Sequence, residues 1–574
     1  MDDGITRNAP APRAALRQAH HAQERILVRE LAAAAALDPS ARAAISARAA
    51  GLVRTVRASG RQSLMEGFLA EYGLSSAEGV GLMCLAEALL RVPDARTVDE
   101  LIRDKVEASD WGAHIGGSSS PLVNASTWAL LLTGRLLDDE DQGGPVGALR
   151  GAVRRLGEPV IRVAVSQAMK LLGRQFVLGE TIEEALEQGR ASAALGITFS
   201  YDMLGEAART EADALRYLQA YADAISALNS GTNGPEVRYN QGISVKLSAL
   251  HPRYEQAQRE AMLPVMSERL LSLALAASHA KMGLNIDAEE ADRLDLSLDV
   301  IERVLVDPRL AEWEGLGIVV QAYGPRAAFT IDWLHALATR LDRTIMVRLV
   351  KGAYWDTEIK RAQVMGLPGY PVFTRKVNTD VSYIACAKKL LGMTDRIYPQ
   401  FATHNAHTVA AILRMAGDRD AFEFQRLHGM GEALHEAVRK AEGTRCRIYA
   451  PVGAHSDLLA YLVRRLLENG ANSSFVHQIV DKQVAAEEIA RDPFDVVASQ
   501  GPAANPAIPR PVDIFGAQRR NSKGWDITDP VTLAEVTEER ARFDAPHQWR
   551  AGADSKTRAV VNPARPMEIV GEVS

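Results

Sequence analysis

Hydrophobic positions recur every three to four residues over the first part of the chain, which is the period of an amphipathic helix. From Gln23 to about Gln175, runs such as ERILVRELAAAA and AEGVGLMCLAEALLRV keep this spacing. The Gly/Ser-rich stretch Gly112–Pro121 interrupts the pattern. No strand pattern precedes it and it lacks GKS/T, so a loop between helices is favoured over a phosphate cradle. We predict a helical region here, preceded by a Pro/Ala-rich arm over the first ~20 residues.

A different pattern begins at Gly196, where short runs rich in Val, Ile, Phe and Tyr alternate with amphipathic stretches. Each short run predicts a β-strand, and each amphipathic stretch predicts a helix. The eight predicted strands are Gly196–Leu204, Ile243–Leu247, Gly283–Ala288, Gly317–Tyr323, Thr344–Val350, Ile397–His404, Phe422–His428 and Cys446–Val452.

Strands that alternate with helices pair in parallel through right-handed crossovers. Eight such units in about 280 residues predict an α/β fold, a (β/α)₈ barrel of the TIM type preceded by an all-helical domain. A doubly wound open sheet is the alternative, but the GxGxxG turn expected after its first strand is missing.

Regular patterning fades after about Asp481. The Pro-, Gly- and Asn-rich stretch from Gly501 to Pro530 predicts irregular chain, either a linker or a tail laid over the surface. We therefore divide the chain into four parts: an arm that is largely helical after residue 20 (1–56), a helical domain (57–177), the barrel (178–495) and a linker or tail (496–574).

Composition narrows the class of protein. The chain has 574 residues, of which 47% are hydrophobic and 24% charged, and this excludes a mostly disordered protein. A net charge of −6 argues against a general nucleic-acid binder. The three cysteines, Cys84, Cys386 and Cys446, form no CxxC pair, so structural zinc is not expected and a reducing compartment fits best. No run approaches the roughly 18 apolar residues of a membrane span. We expect a cytoplasmic protein.

Polar side chains stand at the ends of all eight predicted strands, where a barrel carries its chemistry. A charged strand end is often a structural ion pair, but polar groups at every end are hard to explain by stability alone, because buried charge is costly. These residues are Tyr201, Asp202, Lys246, Asp287, Gln321, Arg348, Lys351, Thr403, His404, Asn405, Gln425 and Tyr449.

Two further stretches carry candidate chemistry. In the helix predicted after strand eight, Tyr461, Arg464, Arg465 and Glu468 share one face, and two adjacent guanidiniums suit a carboxylate or phosphate. A solvated face is the alternative. The stretch RLVKGAYWD combines a lysine for a phosphate, a glycine for close approach and aromatic rings for stacking.

The two histidines of HNAHT are a weak candidate for a metal pair. No third ligand lies at suitable spacing, so we expect no metal site. Instead, His404 is the candidate cofactor contact and His407 is predicted to lie on a helix surface.

The chain closely resembles the proline dehydrogenase half of bifunctional proline utilization A flavoenzymes. The resemblance runs from about Asp110 to Asp481 and rests on ISVKLSALHPRYE, NIDAEEADRL, VVQAYGP, RLVKGAYWD, FATHNAHT, FQRLHGMGE, RIYAPVG and YLVRRLLENGANSSFV. It implies a distorted (β/α)₈ barrel with non-covalent FAD at the strand ends. It also implies oxidation of L-proline to Δ1-pyrroline-5-carboxylate by hydride transfer to flavin N5, with electrons passed to a membrane quinone.

The resemblance also assigns roles to individual residues. It implies that Arg464 and Arg465, assisted by Lys246, clamp the substrate carboxylate, and that Glu206 and Arg464 form an ion pair gating the pocket. Arg348 resembles the residue that faces the flavin N5. The other implied substrate-site residues are Asp287, Ala288, Tyr354, Leu427, Tyr449 and Tyr461. The other implied FAD contacts are Gln321, Lys351, Gly352, Ala353, Tyr354, Trp355, Thr374, Lys376, Thr403, His404, Asn405, Gln425, Glu468 and Ser474.

The chain departs from the family pattern at both ends. Some members begin with a DNA-binding ribbon-helix-helix segment; the first ~20 residues show no such pattern, so we expect no nucleic-acid partner. The end, VVNPARPMEIVGEVS, looks like the entry to an aldehyde dehydrogenase module, which we expect in the full-length protein. The resemblance further implies peripheral association with the inner face of the cell membrane when the enzyme is reduced.

Two functions from other classes stay open on the residues alone. One is a barrel lyase or hydrolase that acts on an anionic substrate, because the same arginine clamp would serve it. The other is a helical scaffold that carries a decayed barrel. Flavin absorbance would decide against the first, and polar groups at every strand end count against the second.

Overall fold

The architecture comes from a computed structural model of the chain. It describes residues 12–59, 177–229, 231, 234–453, 475–481, 483–501, 504–543, 549–552 and 556–574. The predicted helical region is thus described only in part, and Gly112–Pro121 lies outside these ranges.

Three helices form the described N-terminal segment: α1 (Pro12–Gln18), α2 (Glu24–Ala35) and α3 (Pro39–Ala58). The third begins where the sequence specifies it, because the Asp38 side chain accepts a hydrogen bond from the backbone N–H of Ala41 at 2.8 Å and proline occupies the first turn. These helices bury their apolar stripes against the outer helices of the barrel.

Eight parallel strands close into a barrel, each paired with the next and the last with the first. This confirms the predicted fold class and all eight predicted strands. The strands are β1 (Thr198–Met203), β2 (Gly242–Val245), β3 (Gly283–Ile286), β4 (Leu316–Gln321), β5 (Ile345–Val350), β6 (Ile397–Ala402), β7 (Glu423–Leu427) and β8 (Arg445–Val452).

Helices alternate with these strands, and two of them follow β5. Their ends carry the expected signals: the Thr181 hydroxyl accepts from the backbone N–H of Glu184 at 3.3 Å at the start of the first, and Gly366 takes a left-handed conformation after another. The barrel helices are α4 (Ile182–Ala193), α5 (Glu211–Asn229), α6 (Arg259–His279), α7 (Leu294–Leu305), α8 (Ala327–Arg340), α9 (Trp355–Met365), α10 (Lys376–Leu391), α11 (Ala406–Met415) and α12 (Glu432–Glu442).

The barrel interior is polar and layered, because residues two apart on a strand point to the same side. One layer is a fully buried network in which the Gln400 amide accepts from Asn285 at 2.8 Å and donates to Glu423 at 2.9 Å. Arg447 donates to the same carboxylate at 2.7 Å. Two residues further along several strands, towards their C-terminal ends, stand Asp287, Gln425 and Tyr449. This second layer forms the candidate site.

The C-terminal part begins with short helices and continues as irregular chain over the barrel surface. Residues 504–529 contain no α-helix or strand, as their composition predicts, and Asn521 donates to the Gln363 carbonyl of α9 at 2.9 Å. The remaining elements are α13 (Phe475–Val480), α14 (Ala486–Ile489), α15 (Pro493–Gln500), α16 (Pro530–Ala541), β9 (Trp549–Ala551), β10 (Arg558–Asn562) and β11 (Arg565–Val573).

One helix in the described ranges, Gln256–His279, is long and apolar enough to cross a membrane, and 44% of its most apolar window is buried inside the protein. It includes α6, which packs against β3 and α7 in the barrel wall. Core helices of barrels pass the same test of length and composition, so this is weak evidence for a membrane span.

Candidate functional site

Four side chains from four strands meet at the C-terminal mouth of the barrel. The Lys246 ammonium donates to Asp202 Oδ1 at 2.6 Å, and its Nζ lies 3.5 Å from Asp287 Oδ2. The Tyr449 hydroxyl lies 2.7 Å from Asp202 Oδ2 and 2.7 Å from Asp287 Oδ2. The sequence predicted three of these residues as site residues, and the structure brings them together around the fourth, Asp202.

Arg348 joins this cluster from β5. Its guanidinium donates to Asp287 Oδ1 at 3.0 Å and to the hydroxyls of Ser200 and Ser244 at 3.0 and 3.1 Å. The guanidinium carbon also lies 5.3 Å from the centre of the Tyr449 ring. These contacts hold the buried Arg348 guanidinium in one position beside the other charged groups of the cluster.

Burial and neighbouring charges set the protonation of the cluster. Burial alone would lower the pKa of Lys246, but Asp202, Tyr449 and Asp287 outweigh it and raise that pKa well above its ordinary range. Burial also raises the pKa of Asp202, against the opposing effect of Lys246. The pKa of Tyr449 is raised well above its ordinary value by burial and by the two carboxylates. The mouth therefore carries a fixed ammonium and a neutral phenol.

The turn after β5 carries the RLVKGAYWD motif and is held by specific contacts. Gly352 has φ of +141°, and a Cβ at this position would lie 2.4 Å from the Tyr323 ring, so only glycine fits. Gln321 accepts from the backbone N–H of Ala353 at 3.3 Å and donates to the Glu289 carbonyl. Two further contacts complete the turn: Lys351 pairs with Asp380, and Trp355 Nε1 donates to the Phe373 carbonyl at 2.9 Å. Tyr354, in the same turn, is half-buried.

An open cavity of about 770 Å³ is lined by Thr374 and Lys376, two of the predicted cofactor contacts. Arg375 and Arg491 give it further positive charge, and Asp380 lines it too. Its size and cationic lining suit an anionic cofactor of the dimensions of a dinucleotide.

Glu24 of α2 forms the outer support of this wall. Its carboxylate accepts from the backbone N–H and hydroxyl of Thr374 at 3.0 and 2.7 Å. It also accepts from the Asn378 amide at 2.6 Å. The N-terminal segment thus anchors the first turn of α10, which carries the cavity residues.

The ends of β6 and β7 place the FATHN and FQRL motifs side by side. His404 Nε2 accepts from the backbone N–H of Leu427 at 3.1 Å, and Asn405 caps α11 by accepting from Thr408 at 3.1 Å. The carbonyl oxygen of Thr403 accepts a hydrogen bond from His435 Nε2 at 2.8 Å. Gln425 donates to the buried Glu423 at 2.8 Å.

The prediction that His407 lies on a helix surface is wrong. Its side chain is 5% exposed, and burial lowers its pKa to about 4. The helical period alone could not show this, because α11 packs against both α3 and α10, and eight of its ten residues are buried.

The other predicted residues divide into two groups. Ala288, Leu427 and Glu206 follow or end strands at the mouth and are half-buried. The rest lie outside the described residues: Tyr461, Arg464, Arg465, Glu468 and Ser474. The arginine clamp and the gating pair of Glu206 with Arg464 therefore stay predictions.

Unpaired buried atoms test whether the mouth fits a flavin cofactor. Arg348 Nε and Gln425 Oε1 are buried without a hydrogen-bond partner among the described residues. Buried polar atoms normally find partners, and a flavin ring offers both donors and acceptors. Among the residues that the structure describes, no group of three or more His, Cys, Asp or Glu side chains is arranged to hold a metal ion.

The sequence reasoning named Asp202 only as a polar strand end, and it missed Ser200, Ser244 and Glu24. Ser200 and Ser244 have a visible signal, since each lies two residues before another inward-facing polar residue, Asp202 or Lys246. Glu24 has no such signal, because it lies 350 residues from Thr374 along the chain.

Comparison with known families gives three adjacent matches. The proline dehydrogenase family model matches residues 185–478, more than half of the chain. Residues 11–57 match the proline utilization A proline dehydrogenase N-terminal domain. Residues 64–176 match a family described as the DNA-binding domain of proline dehydrogenase. That description leaves the expected absence of a nucleic-acid partner untested.

Among curated relatives, the bifunctional protein PutA of Klebsiella aerogenes is 51% identical over 537 residues, 90% of this chain and 41% of that protein. Proline dehydrogenase 1 of Bacillus subtilis is 28% identical over 55% of this chain and 92% of its own length. A crystal structure of a variant of Bradyrhizobium japonicum proline utilization A is 47% identical, with a TM-score of 0.73 over 94% of this chain and 53% of that one. The chain thus spans less than half of the Klebsiella relative.

Proposed function

This chain belongs to the proline dehydrogenase family of oxidoreductases, and from that premise we propose that it oxidises L-proline to Δ1-pyrroline-5-carboxylate with bound FAD. The observation that carries the proposal is the cluster of Lys246, Arg348, Asp287 and Tyr449 at the barrel mouth. It presents fixed positive charge next to polar atoms that lack partners among the described residues.

The residues that would hold FAD lie in two places. Arg348 and Gln425 would meet the flavin ring with their unpaired atoms, and the turn from Lys351 to Trp355 would line its approach. Thr374 and Lys376 line the cationic cavity that suits the diphosphate and adenosine part. When bound, FAD supplies the hydride acceptor, and it is held without a covalent bond.

The substrate would be held by its carboxylate. The Lys246 ammonium remains charged over the whole neutral range, because the neighbouring carboxylates raise its pKa. Arg464 and Arg465, which resemble the family's clamp, would supply a planar pair of donors on the other side. The wall around the proline ring, which keeps water away, would be formed by Tyr449, Leu427, Ala288, Tyr354 and Tyr461.

The reaction removes a hydride from the ring carbon next to nitrogen, while the nitrogen lone pair forms the new C=N bond. The ring nitrogen must be unprotonated for this step, so the rate should rise with pH as the substrate amine loses its proton. The protein's contribution is orientation: a carboxylate fixed at Lys246 and a ring fixed against Tyr449 leave one carbon free to approach the acceptor.

The two electrons must then leave the enzyme. We propose a membrane quinone as their acceptor and a peripheral, reduction-dependent contact with the inner face of the membrane. The support for both is the resemblance to proline utilization A proteins. We also propose that nucleic acid is not a partner, since the net charge is −6; a gel-shift experiment with duplex DNA at two salt concentrations tests this.

The experiment that tests the function is steady-state turnover of L-proline with an artificial electron acceptor. The product is trapped as an adduct of the cyclic imine, and free FAD is added and omitted in parallel. Imine formation that requires FAD supports the proposal. Turnover of other anionic substrates without any oxidation of proline would contradict it.

A further inference from the structure

Asp202 is a fully buried carboxylate at the centre of the mouth cluster, and no role has been assigned to it above. Its side chain is 0% exposed. Oδ1 accepts from Lys246 at 2.6 Å, and Oδ2 lies 2.7 Å from the Tyr449 hydroxyl. Each oxygen of Asp202 thus has its own partner: Lys246 at the end of β2 and Tyr449 in β8.

The distances rank the anions that surround the Lys246 ammonium. Asp202 lies within a short hydrogen bond, whereas Asp287 Oδ2 is 3.5 Å away and is also engaged by Tyr449. Asp287 is further committed to Arg348 through its other oxygen. An isolated buried ammonium is very costly, so Asp202 is the principal reason that Lys246 can remain charged at this position.

Asp202 also sets the direction of the Tyr449 hydroxyl. A phenol has one proton to donate, yet two carboxylate oxygens lie 2.7 Å from this one. Asp287 already receives a hydrogen bond from Arg348, whereas Asp202 is surrounded by the barrel wall and cannot turn towards solvent. The phenol proton is thus best placed towards Asp202, which orients the ring.

We infer that Asp202 is a positioning residue for proline oxidation, which fixes the Lys246 ammonium and the Tyr449 ring for the substrate without touching the substrate itself. The inference rests on the proposed function, because it presumes that Lys246 binds the proline carboxylate. Its mechanism is electrostatic, and this separates it from a role in packing alone.

The groups that face Lys246 determine what removal of the Asp202 charge would do. They are Asp202 from β1, Asp287 after β3, Tyr449 from β8 and Tyr221 from α5, whose hydroxyl accepts from the Lys246 backbone N–H at 3.2 Å. Without the Asp202 charge, the effect of burial on the pKa of Lys246 is opposed only by Tyr449, the more distant Asp287 and Tyr221. The pKa of Lys246 should then fall towards the assay range, and the substrate carboxylate would lose its partner as pH rises.

The test is Asp202→Asn, which keeps the size of the side chain and removes its charge. We expect the KM for proline to rise on the order of 10- to 100-fold, with FAD content unchanged. We also expect the ratio of variant to wild-type KM to grow between pH 6.5 and about pH 9, as Lys246 loses its proton. Asp295→Asn is the matched control, since Asp295 is also a buried carboxylate paired with arginines, but it lies in α7 outside the barrel interior. It should lower stability and leave the KM unchanged.

A double-mutant cycle with Lys246→Met completes the test. Asparagine keeps an oxygen that can accept from the Tyr449 hydroxyl, so Asp202→Asn disturbs mainly the contact with Lys246. Adding Asp202→Asn to Lys246→Met should therefore change the KM less than threefold. This comparison also decides the question if Asp202→Asn alone does not fold, because the double variant buries no unpaired charge at this point. A pH-independent KM ratio, or independent and multiplicative effects in the cycle, would overturn the inference. Absence of proline oxidation in the wild type would instead refute the proposed function.

Discussion

Replacing Glu24 by alanine should weaken FAD binding, although Glu24 lies in the N-terminal segment. Its carboxylate accepts from the backbone N–H of Thr374, the Thr374 hydroxyl, the backbone N–H of Arg375 and the Asn378 amide, at 2.6 to 3.4 Å. Three of these donors belong to residues 374 and 375, which line the cationic cavity. The contact is thus the link between the N-terminal helices and the proposed cofactor wall.

The structure sets the size of the effect. A hydrogen bond to a charged group contributes about 1.5–3 kcal/mol, and an anion near a helix N-terminus adds about 0.3–1 kcal/mol. The four bonds share one carboxylate and are not additive, so we expect a total loss of about 2–4 kcal/mol. If the first turn of α10 must be ordered again when FAD binds, about 1.4–2.8 kcal/mol of this appears as a 10- to 100-fold rise in the Kd for FAD.

The assay is a fluorescence titration of the FAD-free protein with FAD, run beside urea unfolding of the same samples. Glu30→Ala is the control, because Glu30 lies on the exposed side of the same helix. The control should bind FAD as the wild type does. If Glu24→Ala keeps the wild-type Kd within twofold while its unfolding transition shifts, the contact supports the fold and not the cofactor wall. If neither quantity changes, the reasoning about this carboxylate is wrong.

Three further predictions concern Tyr449, His407 and Glu358. Tyr449→Phe removes a hydroxyl that lies 2.7 Å from both the Asp202 and the Asp287 carboxylates, and it should lower kcat/KM for proline on the order of 10- to 100-fold in steady-state kinetics. The control Tyr398→Phe changes a buried tyrosine at the opposite end of the barrel and should leave kcat/KM unchanged. Burial lowers the pKa of His407 to about 4, so as pH drops from about 6.5 to about 4 the unfolded chain takes up a proton that the folded protein does not, and the free energy of unfolding falls. His407→Gln should flatten that decline in urea titrations. An unchanged decline would contradict the buried, neutral state of His407. Burial raises the pKa of Glu358 to about 7, so its effect has the opposite sign: stability should fall as pH rises from about 4.5 to about 7, and Glu358→Gln should remove that dependence.

The barrel could be predicted from the sequence because its signal is local and repeated. Each strand is a short run of β-branched and aromatic residues, and each is followed by an amphipathic stretch that predicts a helix. Because the connections between parallel strands are right-handed, only a few arrangements of such units in a sheet are possible. The observed strands agree with the predicted ones within a few residues at their ends, which is where competing turn hydrogen bonds decide the boundary.

The site could be predicted only as far as strand ends reveal it. Lys246, Asp287 and Tyr449 were found because parallel strands bring their C-terminal ends together. Asp202 was seen as a polar strand end, but its contacts with both Lys246 and Tyr449 depend on the stagger of β1 against its neighbours. Glu24 was missed because its partners lie on another part of the fold. His407 was misplaced because a helical period cannot show that neighbouring helices bury most residues of α11.

The most direct test of the account is the absorption spectrum of the purified protein, reconstituted with FAD and kept without oxygen, before and after addition of L-proline. We predict a bound flavin spectrum that loses its visible band on addition of L-proline and regains it with an added quinone. D-proline is the stereochemical control and should leave the band unchanged. A protein that retains no flavin, or a bound flavin that L-proline leaves oxidised although dithionite bleaches it, would contradict the proposed function.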